Sequence, residues 1–109
     1  MKSFLQNIVD PVFATNEQRK KEIWDVEGRL KNGNSIFKFD IRPLKSNGNR
    51  SEKDGFFNTK ADKIVFEEKE QWIVFDTQEL HEYIKSSNKL DFNTKELLKN
   101  LSWNFIMCK

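Results

Sequence analysis

The stretch IWDVEGRL-KNGN-SIFKFDIR, residues 23–42, decides how this chain is read. Asn32-Gly33 suits a two-residue type I′ turn, in which both central residues need a positive φ. With that pair at the tip, Val26 faces Phe39, Trp24 faces Ile41, Gly28 faces Phe37 and Glu27 faces Lys38. Apolar meets apolar and charge meets opposite charge along the hairpin, as stable cross-strand pairing requires. One face carries Trp24, Val26, Phe37, Phe39 and Ile41; the other carries Asp25, Glu27, Arg29, Lys38, Asp40 and Arg42. Pro43 ends the second strand.

The same register sets Asp25 against Asp40, and like charges facing across strands destabilise a sheet. A cation between them removes the conflict. Arg29, Arg42 and a divalent metal are the candidates. Magnesium is commonly held by one or two carboxylates together with waters and substrate phosphates. There it polarises a phosphodiester and activates water. Arg42, two residues past Asp40 on the same face, is placed to steady charge developing on a phosphate. The competing reading is an exposed charge network of Asp25, Asp40, Arg29 and Arg42, worth little to stability. A second carboxylate pair, Asp62 and Asp76, faces across the next hairpin if its tip centres on Lys69.

Outward from residues 23–42, residues 2–21 read mostly as helix: Phe4, Leu5, Ile8 and Val9 share a helical face, and Thr15 caps a fresh turn. LKSNGNRSEKDG, residues 44–55, is a long polar loop. KADKIVFEE and QWIVFD form the second hairpin, and the run Trp72-Ile73-Val74-Phe75 is apolar on both faces, as in a central, doubly covered strand. Thr77 caps a helix carrying Leu80, Tyr83 and Ile84; Asn93 caps another carrying Leu97, Leu98 and Leu101; residues 103–107 close as a strand. Trp24, Trp72 and Trp103 all fall in strands and are expected in the core, and His81 on the surface of the first of these helices. The order is α-β-β-β-β-α-α-β, a mixed α+β fold, in one domain over residues 1–109.

Composition bounds the rest. The 109 residues are 37% hydrophobic and 33% charged, and ten Phe, three Trp and one Tyr supply the bulk of a core. No apolar run reaches the roughly 18 residues of a membrane span. One cysteine excludes a disulfide framework and a cysteine-based zinc site, and the single histidine argues against a Ser-His-Asp or Cys-His catalyst. A lone cysteine and no export signal point to the cytoplasm. The net charge of +2 is small, but residues 38–63 alone carry +3. Lys45, Arg50, Lys53, Lys60 and Lys63 in that segment are candidate phosphate contacts, against the plainer reading of a solvated loop. Phe56-Phe57 either anchor the loop to the core or stack on a base.

The stretch DGFFNTKADKIVFEEKEQWIVFDTQELHEYIK, residues 54–85, resembles a segment of small PD-(D/E)xK, or restriction-endonuclease-like, nucleases of phages and mobile elements. Gly55-Phe56-Phe57 match its turn, Lys60-Ala61-Asp62 the opening of its strand, and Leu80 and Tyr83 its following helix. The resemblance implies a restriction-endonuclease-like core and a Mg2+- or Mn2+-dependent nuclease, or a nucleic-acid-binding relative of one. The nearest match to the catalytic signature is Asp25, then Asp40-Ile41-Arg42 on the next strand, with Glu17 or Glu22 upstream. It implies Asp25 and Asp40 as metal ligands and Asp25, Asp40, Arg42 and Glu22 as the catalytic set. Arginine stands where the family has lysine, aspartate where glutamate is commoner, and Trp24 where a proline precedes the first aspartate. Active and catalytically decayed members are both open. A different class also suits a small, densely charged chain: a protein-interaction module, such as a phage inhibitor of a host defence enzyme or a toxin-immunity protein. A structural subunit of a larger assembly is a third possibility. DNA or RNA preference and oligomeric state are not encoded legibly.

Overall fold

A computed structural model describes residues 4–44, 58–88 and 91–109 and the backbone of 49–51. A 3-10 turn (Phe4–Asn7) leads into β1 (Ile8–Phe13), α1 (Asn16–Lys21), β2 (Val26–Leu30), β3 (Ile36–Arg42) and β4 (Asn49–Ser51). Then come β5 (Lys63–Glu67), β6 (Gln71–Asp76), α2 (Thr77–Ser87), β7 (Asp91–Asn93), α3 (Thr94–Asn100) and β8 (Asn104–Cys108). The fold is mixed α+β, as expected. Six strands form one sheet in the order β1-β2-β3-β5-β6-β8, parallel only between β3 and β5, and β4 pairs with β7 separately. No helix among the described residues is long and apolar enough to cross a membrane.

The first hairpin keeps the expected register, with Val26 opposite Phe39, Glu27 opposite Lys38 and Gly28 opposite Phe37. Its turn differs. Neither Asn32 nor Gly33 has a positive φ, and Gly33 N–H closes on Leu30 O at 2.9 Å in an open tip. Lys31 N–H donates to Asn7 O at 3.1 Å, which ties the tip to the start of β1. The alternating apolar face therefore sets the register without the tight turn. Gly28 serves close approach: a Cβ there would collide with Ile8 Cγ2.

Within the expected N-terminal helix, Thr15 caps α1 as read, but Ile8–Phe13 is corrected to a strand. Ile8, Val9, Val12 and Phe13 pair with β2, and a bulge between Val9 and Val12 holds Asp10 at φ 52° beside Pro11. β-branched side chains suit a pleated surface, and a proline without N–H is at home on a bulged edge strand. The second hairpin turns on Lys69-Glu70, with Glu68 N–H donating to Gln71 O at 2.8 Å. This register, one step from a turn centred on Lys69, puts Lys63 rather than Asp62 opposite Asp76. The cap of α2 is Asp76, whose carboxylate accepts from Glu79 N–H at 3.0 Å, and Thr77 is the first helical residue. Asn93 caps α3 as expected.

The core has two sides. Ile64, Phe66, Ile73 and Phe75 meet Leu80 and Ile84 of α2, Phe92 of β7 and Leu97 of α3. On the other side Val26, Phe39, Val65, Trp72 and Val74 are closed by Phe4, which meets the rings of Phe39 and Trp72 edge-on at 5.5 and 6.2 Å. β6 is covered on both faces, as its unbroken apolar run predicts.

Candidate functional site

Asp25 precedes β2 and Asp40 lies within β3, on the face that also carries Arg42. Strand alternation puts Asp40 and Arg42 side by side. The guanidinium grips both carboxylate oxygens, Nε to Oδ1 at 3.0 Å and a terminal nitrogen to Oδ2 at 2.7 Å. Both are well buried, with side chains 5% and 14% exposed respectively. Asp25 is close enough for its charge to act on Asp40. Its own Oδ2 accepts the Ile41 N–H at 2.7 Å, and its backbone N–H donates to Phe39 O at 2.8 Å. The two aspartates thus do come together, and Arg42, one of the three candidate cations, sits with them. Arg29 instead donates to Gly33 O at the far end of the hairpin.

Burial pushes the Asp40 carboxyl above its ordinary pKa. Arg42 and the neighbouring Thr59 hydroxyl pull it down, and the Asp25 charge adds to the upward push. The single proton of the Thr59 hydroxyl goes to Ile23 O at 2.7 Å, and its oxygen accepts from Ala61 N–H at 3.1 Å. Ile23 has φ 56°, a left-handed conformation that is strained for a β-branched residue. Strain of this kind concentrates where surrounding structure over-determines a site. Here α1, the Asp25 segment and the Thr59 segment meet.

Glu22, the upstream acid, closes α1. It accepts from Trp24 Nε1 at 3.0 Å and lies 3.7 Å from Lys38 Nζ. Lys38 in turn lies over the Trp24 ring at 5.1 Å. Glu22 is thereby committed to neighbours beside Asp25 rather than to the Asp40 carboxylate.

The expected phosphate contacts separate. Lys60 is exposed, and its backbone N–H donates to Glu22 O at 2.7 Å. Lys63, expected as a phosphate contact, is a buried clamp: only 6% exposed, it bonds Asp76 at 2.9 Å and lies 3.7 Å from the Trp103 ring centre and 4.7 Å from that of Phe37. Lys45 and Lys53 lie outside the described residues, as do Gly55, Phe56 and Phe57, and of Arg50 only the backbone is described, opposite Phe92. Around Lys63 a cleft of about 350 Å3 is lined by Thr59, Lys60, Asp62, Asp76 and His81.

Sequence reasoning missed Thr59 and the Lys63–Asp76 pair. The pair follows from the two-residue tip at Lys69-Glu70. For Thr59 no sequence signal exists, since its role depends on the backbone of Ile23. The last turn of α1 carries Arg19, Lys20 and Lys21, all exposed, and the O of Glu22, which closes it, accepts from Lys60 N–H.

In this structure the Asp40 carboxylate is engaged by Arg42. Magnesium needs carboxylate oxygens open to ion and water. Both Asp40 oxygens accept from Arg42, which supplies the positive charge beside them. Among the described residues no group of three or more His, Cys, Asp or Glu is placed to hold a metal. No protein-family model, curated protein or solved structure matches the chain.

Proposed function

We propose that the chain is a nuclease-like nucleic-acid-binding protein of the PD-(D/E)xK kind, whose acidic centre is held shut by its own arginine. The supporting observation is a backbone one: Lys60 N–H donates to the O of Glu22, which closes α1, and the last turn of α1 carries the exposed Arg19, Lys20 and Lys21, of which Lys21 is paired with Glu17 at 2.8 Å. Such a cluster tracks phosphates, while Asp40, saturated by Arg42, does not repel them as a free carboxylate would. The resemblance of residues 54–85 supports the same reading. Fluorescence anisotropy with labelled single- and double-stranded DNA and RNA tests it. Binding weakens as salt rises, and Lys20→Ala and Lys60→Ala each reduce the salt slope by about one. Absence of binding to all four at low salt overturns the reading. Cleavage in Mg2+ or Mn2+ that Asp25→Ala abolishes restores the active-nuclease form of it.

A second reading, a protein-interaction module, has its own observation. Val12 and Ile36, 59% and 68% exposed, line one surface cleft on the face of the first hairpin that carries Glu27 and Arg29, an apolar pair of the kind that meets protein partners. Co-purification of a protein that Ile36→Asp releases, with no nucleic acid bound, favours it.

A further inference from the structure

The six-stranded sheet has two edges, and they are unlike. β1 is blunted: Pro11 has no N–H to offer, Asp10 turns through φ 52°, and a bulge separates Val9 from Val12. These are devices by which proteins prevent strands from adding to an edge. β8 has none of them. Asn104-Phe105-Ile106-Met107-Cys108 contains no proline, glycine or charge and no bulge, and pairs regularly with β6 from Phe75–Asn104 to Gln71–Cys108.

The side of β8 facing away from β6 is fixed by its hydrogen bonding. Lys109 N–H donates inward to Glu70 O at 3.0 Å. Backbone groups alternate sides along a strand. The N–H and C=O groups of Asn104, Ile106 and Cys108 therefore point outward from the sheet. These three residues are symmetric about Ile106. A second copy laid antiparallel, centred on Ile106, pairs Ile106 with Ile106 and Asn104 with Cys108, all in hydrogen-bonding register. Phe105 then falls opposite Met107 on the other face. Phe105 and Ile106, 42% and 45% exposed, are the side chains such pairing would cover. No charge meets a like charge: residues 104–108 carry none, and the flanking Lys109 is paired with Glu67 at 2.9 Å.

From this geometry we infer that β8 is a dimerisation edge, joining two copies of the chain in one continuous twelve-stranded sheet about a two-fold axis through Ile106. The occupant is a second copy because its own outward groups and neutral side chains complete the register symmetrically, as an isologous contact requires. This interface lies apart from α1 and Lys60 and stands whether or not nucleic acid binds.

Sedimentation-velocity measurements over a concentration series test it on the full chain. The wild type shifts to the dimer mass as concentration rises. Ile106→Lys, which sets two ammonium groups together on the axis, holds the chain monomeric. Ile106→Pro does the same by removing an outward N–H that β6 does not use, and circular dichroism checks that both variants fold. The register is read by Asn104→Cys. Four residues apart on one strand, the thiol this substitution introduces and that of Cys108 stand about 13 Å apart, too far to join within a chain. Across the two-fold axis they meet, so mild oxidation gives a covalent dimer, whereas Ser102→Cys gives none. A wild type monomeric at all concentrations overturns the inference. So does a dimer that persists in both folded Ile106 variants, or one that Asn104→Cys fails to cross-link.

Discussion

Two buried ion pairs sit in the same sheet and are built in opposite ways. In the Asp40–Arg42 pair the anion is the deeper partner, the cation stands two residues away on the same strand, and a second carboxylate, Asp25, lies nearby. In the Lys63–Asp76 pair the cation is deeper, with its side chain 8% exposed against 33% for Asp76, and the partners come from neighbouring strands. Lys63 also rests on the rings of Trp103 and Phe37, and Asp76 also caps α2. The second pair has other support on both sides. The first depends on one guanidinium for its counter-charge. A buried charge with a single opposite partner is costly to orphan, whereas one with several supports loses only part of its compensation. The difference separates a lock on an acidic site from a clamp in a core.

The largest effect follows from removing the lock. Arg42→Ala leaves Asp40 buried beside Asp25 without counter-charge, and breaking such a pair costs about 3–5 kcal/mol. Urea unfolding at pH 7 measures the loss. Arg42→Lys recovers part of it, since an ammonium supplies the charge but not the two-pronged grip. Asp40→Asn falls below Arg42→Ala, because the cation it orphans is the more exposed partner. Equal losses for Lys63→Met and Arg42→Ala would erase the proposed distinction.

The clamp responds more weakly. Lys63→Met keeps an unbranched stem against Trp103 and Phe37, and Asp76 retains its Glu79 N–H and its contact with water. The loss is about 1.5–3 kcal/mol, the scale of one charge-assisted hydrogen bond. Its local signature is exposure of the Trp103 ring to a shifted environment, read as a change in tryptophan emission.

How far these pairs were legible follows from their strands. The alternation of Val26, Glu27 and Gly28 against Phe37, Lys38 and Phe39 fixes the first register from residue types alone, even though the Asn32-Gly33 turn differs. Asp25, Asp40 and Arg42 are therefore found together. The second hairpin has apolar residues on both faces and no glycine at its tip, so pattern cannot distinguish registers one residue apart. That single step replaces an Asp62–Asp76 conflict with a Lys63–Asp76 bond. β1 was hidden because Phe4, Leu5, Ile8 and Val9 satisfy a helical period while serving a 3-10 turn and a strand. The strain at Ile23 and the reach of Thr59 arise where three distant segments converge, which no local pattern encodes.

Acid titration gives the smallest effect, and the two carboxylates differ in sign. Asp40 has its pKa raised, chiefly by burial, so the folded state favours its protonated form. Its contribution to stability is full below the unfolded value of about pH 4 and is lost as pH rises through the higher folded value. For Asp76 burial also pushes upward, but the Lys63 hydrogen bond, the Glu79 amide and the Lys63 charge outweigh it and the pKa is lowered. Its contribution is present above about pH 4 and is lost as pH falls through the lower folded value. Urea midpoints of the wild type, Asp40→Asn and Asp76→Asn between about pH 3 and 7 separate them. Relative to wild type, Asp76→Asn is most destabilised at neutral pH and converges toward it in acid. Asp40→Asn lacks the step that Asp40 ionisation imposes between the unfolded value of about pH 4 and the raised folded one. The same slope in both variants would mean that the Asp40 carboxylate is as well compensated as Asp76, and that Arg42 is no more a lock than Lys63.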